Sequence, residues 1–126
     1  MELFQTDTIE VRREICWILS NIGHLGNRKT VIEIYLHFDI MRIFVNMLEE
    51  DDPFTLDTVL ESLYKILIIG MKASEDGTNV LLQHFLQYNG GERLQQLQHH
   101  ESSKIYNHSV KILTKFFVVE NNEEFI

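Results

Sequence analysis

One group of side chains in this sequence has the types and the spacing to bind a cation. Trp17, the single tryptophan of the chain, is followed by Asn21 and preceded by Glu14 and Glu10. At about 100° per residue, these four positions fall on one side of a helix. An indole face attracts the ammonium or guanidinium of Lys or Arg by about 0.5–2 kcal/mol, and carboxylates bind the same cations through charge-assisted hydrogen bonds. Asn21 offers both a donor and an acceptor for a peptide backbone group. The pattern predicts a site for an extended basic peptide; the alternative is that Trp17 packs against a neighbouring structural unit.

The helix that carries these side chains is predicted over residues 8–22, with Thr8 or Asp7 as its N-cap. Its apolar residues recur at helical spacing and form one predicted buried stripe: Val11, Ile15, Ile18, Leu19 and Ile22. Trp17 points away from this stripe, which is unusual for a structural tryptophan. Cys16 lies near the edge of the stripe and is expected to be a partly buried, unreactive thiol.

Six further helices are predicted, over residues 28–37, 40–50, 54–72, 79–87, 92–99 and 103–117. The second helix is expected to bury Val31, Ile34 and Tyr35, and Asn89-Gly90-Gly91 is expected to form a turn. Long helices are thus separated by two shorter ones, and their apolar stripes superpose at shifts of 44 (59 − 15) and 46 (105 − 59) residues. A period of about 40–47 residues is typical of armadillo repeats; an unrelated helical bundle with evenly spaced helices is the alternative.

The predicted fold is therefore all-α, a right-handed armadillo superhelix (an α-solenoid) of about two and a half repeats over residues 1–119. The expected divisions are 1–26 for the end of one repeat, 27–73 for a second, 74–119 for a terminal repeat and 120–126 for an acidic tail. Because the chain opens within a repeat, we expect it to expose an apolar flank, as a piece of a longer solenoid would.

Composition and missing motifs argue against several other functions. The net charge of −8 disfavours nucleic-acid binding, and no apolar run reaches the roughly 20 residues that cross a membrane. The single cysteine indicates a reducing compartment. No nucleophile elbow, phosphate loop or zinc-protease motif is present, so we expect no enzyme activity and no cofactor. His99, His100 and His108 have no partner at ligand spacing, so no metal site is predicted.

The residues around Trp17 also resemble a known family. The segment EICWILSNI (14–22) is similar to the third helix of an importin-alpha (karyopherin-alpha) armadillo repeat, with its Trp-x-x-x-Asn pair and an acidic residue three positions before the Trp. The likeness continues through QYNGGERL (87–94), LQHHE (97–101) and KIYNHSVKIL (104–113), which look like that family's last repeats. It covers nearly the whole chain and corresponds to the eighth to tenth repeats.

This resemblance implies a nuclear-import adaptor that shuttles between cytoplasm and nucleus and binds basic nuclear-localisation signals or cargo proteins. Trp17, Asn21 and Glu14 match the edge of the family's minor signal-binding site. The positions equivalent to the Trp-Asn pair are degenerate in the later repeats, where they hold Glu61 and Lys65, then Asn107 and Lys111. The terminal repeats are similar to regions that bind the recycling exportin, a nucleoporin and unusual cargo.

The family's N-terminal importin-beta-binding segment and its major signal site have no counterpart in the sequence. A structural scaffold of armadillo or HEAT type, in which the Trp-Asn pair binds no signal peptide, therefore stays open as the alternative.

Overall fold

The structure, a computed structural model, describes residues 9–22 and 27–117, without the side chains at positions 9, 12, 20 and 22. Seven helices and no strands occupy these residues: α1 (Ile9–Ile22), α2 (Arg28–His37), α3 (Ile40–Met47), α4 (Pro53–Lys72), α5 (Val80–Gln87), α6 (Gly90–Leu97) and α7 (Ser103–Phe116). The predicted N-cap, Thr8 or Asp7, and the predicted tail at 120–126 lie outside the described residues. The predicted all-α class is confirmed, with most helix boundaries within two residues of those expected.

Four helices begin at a polar side chain that accepts a hydrogen bond from the backbone of their first turn. These N-caps are Asn27 for α2, Asp52 for α4, Asn79 for α5 and Ser102 for α7. At α4 the cap is reinforced by Pro53, which fits the first helical position because no N–H is needed there. Each such cap stabilises its helix by about 1 kcal/mol.

The short helices are joined in pairs by tight turns, the second of which differs from the prediction. Asp39 and Asn89 both take a left-handed backbone conformation, with φ of 58° and 65°, and each precedes a helix directly. The predicted turn Asn89-Gly90-Gly91 is therefore wrong beyond Asn89, because Gly90 and Gly91 already belong to α6. Gly90 lies against the ring of Phe85, where an added Cβ would be 2.3 Å from Cζ.

The long helices form a row in which α4 packs between α1 and α7. The predicted stripe of α4 is fully buried and confirmed: Leu56, Val59, Leu60, Leu63 and Leu67. So is the predicted stripe of α7: Ile105, Ser109, Ile112, Leu113 and Phe116. Each buried leucine or isoleucine contributes about 1.5–3 kcal/mol relative to an exposed one, so this row is held mainly by the apolar faces of its long helices.

Three predicted core positions at the other end are wrong, because Val11, Ile18 and Ile34 are 40%, 48% and 42% exposed. The buried side of α1 is centred instead nearer Cys16, which is completely buried, and Leu19, which packs on the core. The shift arises because α1 buries the side that faces α4, whereas hydrophobic spacing alone cannot say which neighbour a stripe meets. Burial raises the pKa of the Cys16 thiol to about 12, as expected for an unreactive cysteine.

Polar contacts tie the two triplets of helices, α2–α4 and α5–α7, to each other. The hydroxyl of Tyr88 donates to Oδ1 of Asp39 at 2.6 Å, and this hydrogen bond is the main reason that the pKa of Asp39 lies below its usual range. Nε of Arg93 donates to the carbonyl of Leu48 at 2.9 Å. These bonds join the short helices of one triplet to those of the next, so hydrogen bonds as well as the core hold the two triplets together.

Candidate functional site

A groove runs between α1 and the start of α4, with a volume of about 510 Å³. We call it the Trp17 groove. Its lining combines aromatic, acidic and basic side chains: Glu10, Arg13, Glu14, Trp17, Phe54 and Thr58. Three of the four residues predicted to bind a peptide cation, namely Trp17, Glu14 and Glu10, therefore lie around one cavity.

Trp17 is the largest side chain of this groove and is 57% exposed. Its neighbour Cys16 is buried in the core, and consecutive residues of a helix point about 100° apart. Burial of Cys16 therefore turns the indole out of the core and into the groove. Glu14 and Glu10, three and seven positions earlier, are exposed on the same side of the helix.

The groove also contains two residues that the sequence reasoning did not include. The ring of Phe54 is 66% exposed, and the guanidinium carbon of Arg13 lies 4.5 Å from its centroid. This distance is within the range of a cation–π contact. Phe54 could have been found by the same criterion as Trp17, because it is a large aromatic residue outside the apolar stripe of its helix.

Arg13 reduces the negative charge of the groove. The formal charges of Glu10, Glu14 and Arg13, the charged residues of the described lining, sum to −1. The same guanidinium also affects Asp52, the N-cap of α4. The pKa of Asp52 is lowered mainly by hydrogen bonds from Thr55, and the positive charge of Arg13 lowers it slightly further. The groove is thus acidic, but it already holds one cation of its own.

Asn21 lies one helical turn beyond Trp17 and is not part of the groove lining. Its Nδ2 donates to the backbone carbonyl of Trp17 at 2.7 Å. One of the two N–H groups that were predicted to hold a peptide carbonyl is therefore used within α1. The second N–H and the amide oxygen are the groups that could bind a peptide backbone.

The degenerate equivalents lie along the same row of helices. Glu61 and Lys65 are exposed on α4. Asn107 and Lys111 line a second, smaller depression of about 230 Å³ on α7, together with Lys104 and His108. The ammonium of Lys111 lies 4.3 Å from the centroid of the Tyr64 ring on α4. The positions expected to be equivalent to Trp17 and Asn21 thus hold charged or polar side chains on both α4 and α7.

The histidines that could suggest a metal site have other neighbours. Nδ1 of His100 accepts a hydrogen bond from the backbone N–H of Ser102 at 3.0 Å, and Nε2 of His108 lies 2.9 Å from Oδ1 of Asp57. Within residues 9–22 and 27–117, no group of three or more His, Cys, Asp or Glu could hold a metal ion. None of the described helices is both long enough and apolar enough to cross a membrane.

Comparison with known proteins agrees with this architecture. Residues 79–125 match a family described as the atypical Arm repeat. The chain is similar to importin subunit alpha-5 of Arabidopsis thaliana, with 26% identity over 123 residues, which are 97% of this chain and 24% of that protein. It is also similar to importin subunit alpha-4 of the same plant, with 30% identity over 79 residues, which are 60% of this chain and 15% of that protein.

The row of long helices, the paired short helices and the Arm repeat match define an armadillo-type α-solenoid. The 26% identity over nearly the whole chain supports more specifically a relationship to the importin-alpha subunits. The matched part of this chain spans about a quarter of the length of the first of these relatives and less than a sixth of the second.

Proposed function

We propose that this chain is a non-enzymatic adaptor module that binds basic peptides in the Trp17 groove. The observation that carries the proposal is the position of Trp17, which is more than half exposed and lies in one cavity with Glu10 and Glu14. An exposed tryptophan beside two carboxylates leaves a large apolar surface in contact with water and has no role in the core. A ligand that covers the indole explains this arrangement best.

The groove suits the side chain of lysine or arginine. The indole of Trp17 provides an apolar surface for the aliphatic stem and a cation–π contact for the charged end. Glu14 and Glu10 then bind the ammonium or guanidinium, and Asn21 accepts a hydrogen bond from the peptide backbone through its amide oxygen. None of these contacts depends on one particular peptide sequence beyond its positive charge.

Relationship to importin alpha supports a nuclear-import role for this binding. The basic peptide would be a nuclear-localisation signal, held at the edge of a longer array, and the adaptor would move between cytoplasm and nucleus. The terminal triplet α5–α7 would provide the surface for the recycling exportin, a nucleoporin or unusual cargo. A single Trp groove binds weakly by itself, because the affinity of such arrays comes from several linked contacts.

The alternative is a structural scaffold in which Trp17 binds no signal peptide. One observation favours it, since Val11 and Ile18 are also exposed on α1 and could pack on a further repeat. Peptide binding in the groove requires the indole of Trp17, whereas in the scaffold Trp17 binds no signal peptide.

A fluorescence-anisotropy titration of the 126-residue chain with a labelled Lys/Arg-rich peptide tests the proposal. We expect Trp17→Ala to weaken binding by about 2- to 30-fold, which corresponds to the range of a cation–π contact. Phe38→Ala is the matched control, because Phe38 is 58% exposed and lies outside the groove; it should bind as tightly as the wild type. No binding by the wild type, or equal affinities for all three proteins, would favour the scaffold.

A further inference from the structure

The depression on α7 differs chemically from the Trp17 groove, and we propose that it binds a carboxylate. Specifically, we infer that one extended peptide places its Lys or Arg beside Trp17 and an Asp or Glu against Lys104 and Lys111. This inference rests on the proposed function and narrows its ligand class, from any basic peptide to peptides that carry both charges at a defined spacing.

The lining of the second depression consists of nitrogen donors. Lys104, Asn107, His108 and Lys111 lie at positions i, i+3, i+4 and i+7 of α7, on one side of the helix. Lys104, Asn107 and Lys111 each offer at least one N–H, whereas Nε2 of His108 already lies 2.9 Å from Oδ1 of Asp57. A carboxylate accepts hydrogen bonds through both oxygens, so it is the peptide group that this set of donors matches best.

The charge of α7 favours the same ligand. Residues 103–116 include Lys104, Lys111 and Lys115 and no Asp or Glu, although the whole chain has a net charge of −8. A local excess of positive charge on an acidic protein is not needed for solubility. Together with the acidic groove on α1, it gives the row of long helices a negative end and a positive end.

Neighbouring side chains of α4 hold these donors in place and offset only part of their charge. Nζ of Lys104 lies 3.7 Å from Oδ2 of Asp57, yet the lysine side chain is 78% exposed, so donors remain for a ligand. The ammonium of Lys111 lies 4.3 Å from the centroid of the Tyr64 ring. The formal charges of the two lysines and Asp57 sum to +1, which one carboxylate would balance.

The spacing of the two sites sets the spacing of charges in the ligand. The Trp17 groove lies between α1 and α4, and the two lysines of the second depression reach from α7 to Asp57 and Tyr64 of α4. The axes of adjacent packed helices lie about 8–10 Å apart, which is the separation we take for the two sites. An extended peptide advances about 3.3–3.6 Å per residue. The basic and acidic residues of the ligand should therefore be about three positions apart.

The experiment compares peptides that share the same basic residues and carry either Glu or Gln three positions away. The Glu or Gln is placed on the N-terminal side of the basic residues in one pair of peptides and on the C-terminal side in another. Binding to the 126-residue chain is followed by the fluorescence of Trp17, which reports the first groove, and by the backbone amide resonances of residues 104–111, which report the second. We expect the Glu peptide of one orientation to bind about threefold more tightly than its Gln counterpart. We expect it also to shift the α7 amides.

A paired substitution tests whether the two lysines cause the preference. In Lys104→Gln/Lys111→Gln the Glu and Gln peptides should bind equally, whereas Lys115→Gln, which removes a charge of α7 outside the depression, should keep the difference.

The possible failures are distinguishable. If Trp17 responds equally to the Glu and Gln peptides and the α7 amides do not move, the carboxylate site is overturned while basic-peptide binding stands. If the α7 amides respond but Trp17 does not, the single-peptide arrangement and the proposed function are both overturned. If the Glu peptide still binds more tightly after the double substitution, the acidic residue of the peptide binds another surface and the assignment to Lys104 and Lys111 is overturned.

Discussion

Among the described side chains, Arg13 is the one cation lining the Trp17 groove, and its removal should strengthen the binding of basic peptides. Its guanidinium covers the ring of Phe54, with 4.5 Å between Cζ and the ring centroid. In Arg13→Gln the net charge of the lining changes from −1 to −2, and the face of Phe54 becomes available to the peptide.

The size of the effect follows from two contributions. A unit charge about 7 Å from a bound peptide cation repels it by about 0.6 kcal/mol in water. A second aromatic face adds about 0.5–1 kcal/mol at an exposed site. Together they predict binding that is about 5- to 15-fold tighter at low salt, and a smaller gain at physiological ionic strength because solvent-exposed charges are screened.

Anisotropy titrations of the wild type, Arg13→Gln and Arg28→Gln with one basic peptide measure this effect. Arg28→Gln is the matched control, since it changes the net charge of the protein equally but lies at the start of α2, outside the groove. Equal gains in both variants would assign the effect to overall charge. Weaker binding by Arg13→Gln would refute the reasoning, because Arg13 would then organise the groove instead of competing with its ligand.

Two further predictions concern the stability of the fold. Gly90→Ala should lower the free energy of unfolding in urea by about 1–3 kcal/mol, because the new Cβ would lie 2.3 Å from Phe85; Gly91→Ala, with its nearest atom at 3.0 Å, should cost less, and equal losses would contradict the packing described. Stability should also fall as the pH rises above 9, since burial raises the pKa of Cys16 from 9.0 and that of Tyr35 from 10.0, each to about 12. Both groups are protonated in the folded state, so their contribution is complete below pH 9 and is lost between pH 9 and 12, with a slope of up to about 1.4 kcal/mol per pH unit for each group. Urea titrations across this range should show a shallower decline for Cys16→Ala, and an unchanged decline would contradict the role of the thiol.

Much of the fold could be predicted from the sequence because the armadillo repeat is built from local signals. The apolar stripe of α4, from Leu56 to Leu67, lies between two neighbouring helices, so its spacing alone identified the buried residues. Hydrophobic spacing failed at Val11 and Ile18, because burial there depends on which helices cover α1. The turn at Asn89 was placed correctly, but the sequence could not show that Gly90 is helical, since that depends on its contact with Phe85.

The candidate site was only partly predictable, for a related reason. Trp17, Glu14 and Glu10 come from one helix, so their common direction follows from helical geometry. Phe54 and Arg13 meet across two helices that are separated by about forty positions in the chain. Such a contact depends on how α1 packs on α4, which periodicity does not reveal.

The most direct test of peptide binding in the Trp17 groove is the single indole N–H resonance of the protein. Titration with a Lys/Arg-rich peptide should shift this resonance saturably, with the same dissociation constant as the anisotropy titration, and a peptide with Gln at every basic position should leave it unchanged. A peptide that binds while the indole resonance stays in place would show that the binding surface lies elsewhere on the protein.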